Sequence, residues 1–252
     1  MTGRVVFIGA GPGAADLITL RGAQRLAQAD VVMFDALTDP ALRELAPQAL
    51  WLDVGKRGFS HATRQTAINA LLVRSARQHG CVVRLKGGDP SLFGRLEEEL
   101  EALAEHGIAC EVVPGVTAAL AAAAASQRPL TRRGRGRSVA FSTAMTREGE
   151  LRAGRSADSE VYYMAGRQLG ELSRRLRGAG WPADTPACVV SRAGCGDQLV
   201  SEHRLDLLAQ AAVLHSGRPT VVTVGAAAEA PSRQDKTLTH NRPRAARAVA
   251  ST

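Results

Sequence analysis

Short runs of β-branched and aliphatic residues alternate with amphipathic stretches through the first 115 residues, with spacers only a few residues long. Arg4–Ile8, Asp30–Asp35, Leu50–Val54, the run around Cys81–Leu85, and Ile108–Val113 read as strands of the buried type. Helical spacing separates them: from Asp16, taken as an N-cap, through Ala27, then Ala41–Leu45, Thr63–Gln78 and Glu97–Glu105. Strand and helix in alternation, joined by short connections, make a mostly parallel sheet wound with helices.

The texture changes after Pro114-Gly115. Thr117–Ser126 is an alanine-rich helix with little apolar bulk, suited to close packing beside a cleft, and Arg132–Arg137 is a basic loop. A second α/β set follows, with strands at Ser138–Ser142, Glu160–Met164, Ala187–Ser191 and Thr220–Val224 and helices at Leu169–Arg177 and Leu205–Ala212. The expected architecture is α/β with two domains, 1–114 and 115–229, and a cleft between them. Residues 230–252 are polar, basic and without periodicity, and read as a disordered tail.

Within this frame Arg84-Leu85-Lys86-Gly87-Gly88-Asp89-Pro90 stands out, because a buried-type strand runs directly into two glycines, a carboxylate and a proline. Gly87 and Gly88 permit positive φ or close approach of the backbone to a ligand. Pro90 fixes its own φ and holds Asp89 extended. Asp35, Lys56 and Asp89 all fall just past the carboxyl ends of strands, the edge where open α/β sheets bind ligands. A structural turn carrying a solvated Asp is the competing reading.

Composition narrows the function classes. No apolar run approaches the ~20 residues needed to span a bilayer, and no signal-type segment precedes the first strand, so a cytoplasmic protein is expected. Cys81, Cys110, Cys188 and Cys195 show no metal spacing, and three of them sit in or beside apolar runs as buried thiols would. No metal site is expected. The net charge of +8 is concentrated in Arg132–Arg137 and in the tail, which suits a polyanion: a small polycarboxylate or nucleic acid. No aromatic residues interleave with these arginines, which argues against a single-strand binding surface.

Gly9-Ala10-Gly11-Pro12-Gly13-Ala14, with Asp35 on the next strand, formally satisfies the dinucleotide fingerprint. Pro12 argues against that use, since it removes an amide donor where a pyrophosphate would be cradled.

The same glycine run, the strand-end Asp35 and Val54-Gly55-Lys56-Arg57 resemble the tetrapyrrole methylase family. His61 with Gln65, Arg84–Pro90 with Phe93-Gly94-Arg95, and Val113-Pro114-Gly115-Val116-Thr117-Ala118-Ala119 extend the resemblance, which covers roughly Arg4 to Val224. It implies a two-domain, homodimeric methyltransferase that binds S-adenosyl-L-methionine between its domains and releases S-adenosyl-L-homocysteine. It implies cofactor contacts at Pro12, Gly87, Gly88, Asp89, Leu92, Thr117, Ala118, Met164 and Ala193. It makes Asp35 a candidate proton acceptor and Lys56 a candidate proton donor. The implied reaction is two successive C-methylations of uroporphyrinogen III to precorrin-2.

The residue types suit that chemistry. Methyl transfer to an electron-rich pyrrole carbon depends on positioning, worth roughly 7–11 kcal/mol of barrier, and on loss of a proton to a carboxylate such as Asp35. Eight substrate carboxylates would pair with arginines, for which Arg57, Arg64, Arg84, Arg132 and Arg133 are the candidates. The acidic run Glu97–Glu101 reads as a solvated helix face, and His61 as a turn hydrogen-bonder. This chain departs from the family where Ala36 replaces an Arg, Arg132 a His and Ala193-Gly194 a Gly-Thr pair. A methyltransferase with another tetrapyrrole acceptor and a non-catalytic tetrapyrrole- or cofactor-binding protein therefore stay open.

Overall fold

A computed structural model describes residues 3–55, 61–144 and 150–230; side chains are described throughout these ranges except at 61–64. Two five-stranded sheets follow one another along the chain. The first is built from β1 (Arg4–Gly9), β2 (Val31–Phe34), β3 (Leu50–Asp53), β4 (Cys81–Lys86) and β5 (Cys110–Val113) in the order β3-β2-β4-β1-β5. Every pairing in it is parallel, as the alternating pattern predicted.

The side-chain period of two explains why these strands are apolar almost throughout. Val6, Ile8, Val32, Val83 and Leu85 pack on one face with Leu26 of α1 (Leu20–Leu26). Val5, Phe7, Val31, Met33 and Val82 pack on the other, with Leu72 of α2 (His61–Gln78) and Leu103 of α3 (Leu96–Ala104). Each fully buried leucine among them contributes about 1.5–3 kcal/mol relative to exposure.

The second sheet departs from a parallel plan. Its order is β6 (Val139–Thr143), β7 (Ser159–Tyr163), β10 (Thr220–Gly225), β8 (Pro186–Ser191), β9 (Leu199–Arg204). Only β6 and β7 are parallel; the remaining pairings are antiparallel. Strand β9 has no counterpart among the strands expected from sequence, because alternate residues face solvent and its run Leu-Val-Ser-Glu-His-Arg lacks apolar density. Leu172 and Leu176 of α5 (Leu169–Gly178) join Tyr162 and Val222 in a core on one face. Ala119, Ala121 and Ala122 of α4 (Ala118–Ser126) pack against Val161 and Val190 on the other.

Local helical structure differs from expectation: the short helix expected at Ala41–Leu45 is a 3₁₀ helix over Pro40–Leu45. Asp16 lies inside a 3₁₀ turn, and Thr19 caps α1 instead, its hydroxyl accepting from the Gly22 amide at 3.0 Å. The segment expected as a helix from Leu205 is a 3₁₀ helix to Gln210 followed by the short α6 (Ala211–Leu214). Cys81 and Cys188 are buried as expected, whereas Cys110 is exposed at the sheet edge. All four thiols are free. The expected tail lies outside the described residues, apart from Ala230.

Tyr162 is buried under α5, its hydroxyl donating to the Gly154 carbonyl at 3.2 Å, and burial pushes the phenol up from 10.0 to about 12. A raised phenol contributes its stability in full below pH about 10 and loses it as pH climbs toward 12. Denaturation midpoints measured across that window should fall, and Tyr162→Phe should flatten the fall; an unaltered slope in the variant would exclude Tyr162 as its source.

Candidate active site

Parallel strands β1, β2, β4 and β5 deliver their carboxyl ends to one edge, and three backbone segments converge there. Gly88 donates its amide to the Gly11 carbonyl at 2.7 Å and accepts from the Gly11 amide at 3.3 Å. A β-carbon on Gly115 would lie 2.4 Å from the Gly88 oxygen and 2.7 Å from the Gly9 α-carbon. Only glycine fits at such a crossing. Gly88 itself has φ of 74°, which a side chain would strain.

Asp89 holds this crossing together. One carboxylate oxygen accepts the Gly115 amide at 2.9 Å, and the other accepts the Ser91 amide at 2.8 Å. The Gly-Gly-Asp-Pro turn is thereby tied to the linker leading into the second sheet, which is why glycines, an acceptor and a rigid proline must occur together.

Among the described residues, the two halves approach each other at Tyr163 and at Gly194. At one, the Thr117 and Tyr163 hydroxyls are hydrogen-bonded at 2.7 Å, with Thr117 next to Gly88. The Tyr163 ring also packs on Phe93 of the first half at 5.0 Å between centroids. Burial raises the Tyr163 phenol, so it serves as a neutral hydroxyl. At the other, a β-carbon on Gly194 would sit 2.8 Å from Leu17 and 3.7 Å from Pro12, and one on Gly13 would meet the Cys195 sulfur at 2.5 Å. Met164 follows Tyr163 with φ of 58° and is 54% exposed, and Phe93 is 41% exposed at φ of 52°. Two exposed apolar side chains in left-handed backbone thus adjoin Tyr163, Phe93 by packing on its ring and Met164 by following it in the chain.

Beneath the edge lies a charged cluster. Arg84 and Lys86 are two apart on β4, so they share a face, and both are buried. Glu99 of α3 is fully buried opposite them, with Arg84 Nε at 3.0 Å from Oε1 and Lys86 Nζ at 2.6 Å from Oε2. The outer nitrogen of Arg84 reaches Asp35 Oδ1 at 2.7 Å, while its remaining one donates to the Met33 and Leu85 carbonyls. Burial lowers the Arg84 pKa, but Asp35 and Glu99 outweigh it and hold the guanidinium above its ordinary value. Burial and the neighbouring Arg84 pull Lys86 below the usual lysine range.

Several sequence expectations change accordingly. Arg84, expected to anchor a substrate carboxylate, is committed to Asp35, Glu99 and two carbonyls. Glu97–Glu101 is not wholly a solvated face, since Glu99 shares the buried side of α3 with Leu103. Its helical spacing from Leu96 and Leu103, together with two cations on a buried strand, was the available signal. Ala193 is packed in a core, leaving only its backbone for a ligand. Arg132 bonds Glu229, and Arg133 is exposed on the same turn. Pro12, Gly87, Leu92 and Ala118 are part-exposed. Lys56 and Arg57 lie outside the described residues, as do the side chains of His61 and Arg64. A recess of about 400 Å³ lined by Thr143, Arg152, Glu160 and Tyr162 opens on the face of β7 opposite Tyr163 and holds none of the expected residues. Among the described residues no acidic, histidine or cysteine cluster could hold a metal.

Gly115→Ala should force the three segments apart and destabilise the protein by about 1–3 kcal/mol. A thermal midpoint equal to the parent's would show that the crossing is looser than its geometry.

Two α/β halves, joined at a glycine crossing and presenting a strand-edge carboxylate, have the architecture of proteins that bind small molecules beyond the carboxyl ends of parallel strands. Residues 4–209 match the family model for tetrapyrrole (corrin/porphyrin) methylases. The chain is 42% identical to a uroporphyrinogen-III C-methyltransferase of Pseudomonas aeruginosa over 230 residues, covering 89% of this chain and 94% of that protein. It is also 42% identical to the siroheme synthase of Sodalis glossinidius, of which it spans 48%. Among solved structures, uroporphyrin-III C-methyltransferase from Thermus thermophilus complexed with S-adenosylhomocysteine superposes with a TM-score of 0.79 at 36% identity, covering 89% of this chain and 98% of that one. A cobalt precorrin-4 methyltransferase of cobalamin biosynthesis gives 0.78 at 27% identity, covering 90% of this chain and 96% of that one. The chain belongs to the tetrapyrrole methylase family.

Proposed function

We propose that this chain transfers methyl groups from S-adenosyl-L-methionine to carbons of uroporphyrinogen III, giving precorrin-2 by two successive transfers. The observation that carries the reading is 42% identity across 94% of a protein named for that reaction. The geometry supports it: a glycine backbone edge, exposed Met164 and Phe93, and the Thr117–Tyr163 pair lie at the meeting of the two halves. When bound, S-adenosylmethionine supplies an electrophilic methyl on a sulfonium, whose thioether leaves without an acid.

The side chains would then divide the remaining work. Gly87 and Gly88 let a ligand approach the β4 edge closely, while Met164 and Phe93 offer apolar surface to its flat ring. Asp35, one-third exposed, accepts the proton that the methylated macrocycle sheds. Arg84 holds that carboxylate in place through a charge-assisted bond. Arg133 remains exposed and available to a substrate carboxylate. We further propose a homodimer, which light scattering would test. Among the described residues no helix is long and apolar enough to cross a membrane.

Anaerobic incubation with S-adenosylmethionine and freshly generated uroporphyrinogen III should yield red-shifted, fluorescent methylated products. Asp35→Asn should lower turnover about a hundredfold or more while S-adenosylhomocysteine affinity, measured by calorimetry, stays within threefold. Tight binding of the cofactor without any turnover by the parent chain would instead make this a binding protein.

A further inference from the structure

The Arg84–Asp35 bond is only as well aimed as the guanidinium, and the guanidinium is aimed from behind. Arg84 Nε is pinned by Glu99 Oε1, so the planar fork can point its outer nitrogen along one direction only, toward Asp35 Oδ1. Glu99 is itself fixed on three sides. Lys86 binds its other oxygen at 2.6 Å, and Gln65 of α2 approaches Oε1 at 3.4 Å. Asn69, which accepts from Gln65 and donates to the Glu98 carbonyl, locks α2 to this turn of α3. The four charges Arg84, Lys86, Glu99 and Asp35 sum to zero. Removing Glu99 would leave two buried cations facing one carboxylate.

We infer that Glu99 is a positioning residue for the reaction: fully buried, it orients Asp35 through Arg84, with Lys86 balancing its charge. This rests on Asp35 being the proton acceptor of the proposed methyl transfer. It assigns to α3 a part in the chemistry at β2, across the width of one strand. Lys86 has a place on this account because Arg84 is shared between Asp35 and Glu99, so the three groups alone carry one net negative charge, which Lys86 on the other Glu99 oxygen cancels.

A double-mutant cycle decides it. Single-turnover methyl transfer to uroporphyrinogen III is followed with radiolabelled S-adenosylmethionine in the parent, Glu99→Gln, Asp35→Asn and the combined variant, with S-adenosylhomocysteine affinity as the control for an intact fold. Glu99→Gln should slow transfer about tenfold to a hundredfold in the parent and have no further effect on the residual rate of Asp35→Asn. The pair Lys86→Met with Glu99→Leu leaves Arg84 without its rear acceptor and no lysine unpaired; it should show the same dependence on Asp35 even if Glu99→Gln does not fold. Equal losses in both backgrounds, or no loss in the parent, would overturn the inference. If Asp35→Asn itself transferred methyl at the parent rate, the assignment of Asp35 would fall first, and this inference with it.

Discussion

Burying two cations on one face of a central strand is the constraint to which much of the first half answers. Arg84 and Lys86 occupy alternate positions of β4, between β1 and β2, where neither can reach water. Uncompensated, each would cost several kcal/mol, and breaking such a pair typically costs about 3–5 kcal/mol. Glu99 and Asp35 supply the missing charge from α3 and from the end of β2. Helix α3 must therefore present its first turns to β4, and α2 must pack where Gln65 and Asn69 complete the network. The pairing does not make the fold cheap. Hydrophobic residues of similar volume would serve stability as well, so its value lies in fixing direction at the sheet edge.

The glycine crossing complements that network. Asp89, Gly88, Gly115 and Gly9 lock the linker between halves to the end of β4 at backbone contact distance. A rigid floor and a rigid joint thus bracket the same edge, one through charge and the other through absence of side chains. Between them, Asp35 is held from one side while staying part-exposed on the other. Pre-organisation of this kind suits methyl transfer, where alignment carries much of the barrier reduction.

Much of this was legible in the residues. Continuous apolar strand runs alternating with helices over short connections announced the parallel sheet, and the Arg84–Pro90 run announced a special strand end. The role of Arg84 was misread, because an exposed arginine poised for a carboxylate and a buried one already paired look alike in sequence. The solvated reading of Glu97–Glu101 failed for a related reason: five residues with four glutamates mask the one that falls on the Leu96–Leu103 side of the helix. Strand β9 was invisible because half of its residues face water and its partner β8 supplies the apolar cover.

Sequence by itself determined the alternation of elements, the position of the glycine turn and the family, since these depend on local periodicity and on contiguous motifs. Tertiary structure alone decided which charges meet, Glu99 with Arg84 and Lys86 and Asp35 with Arg84, and which backbone amide the Asp89 carboxylate would hold. Those partners come from different elements, and an ion pair forms only when packing brings both groups out of water at the same place.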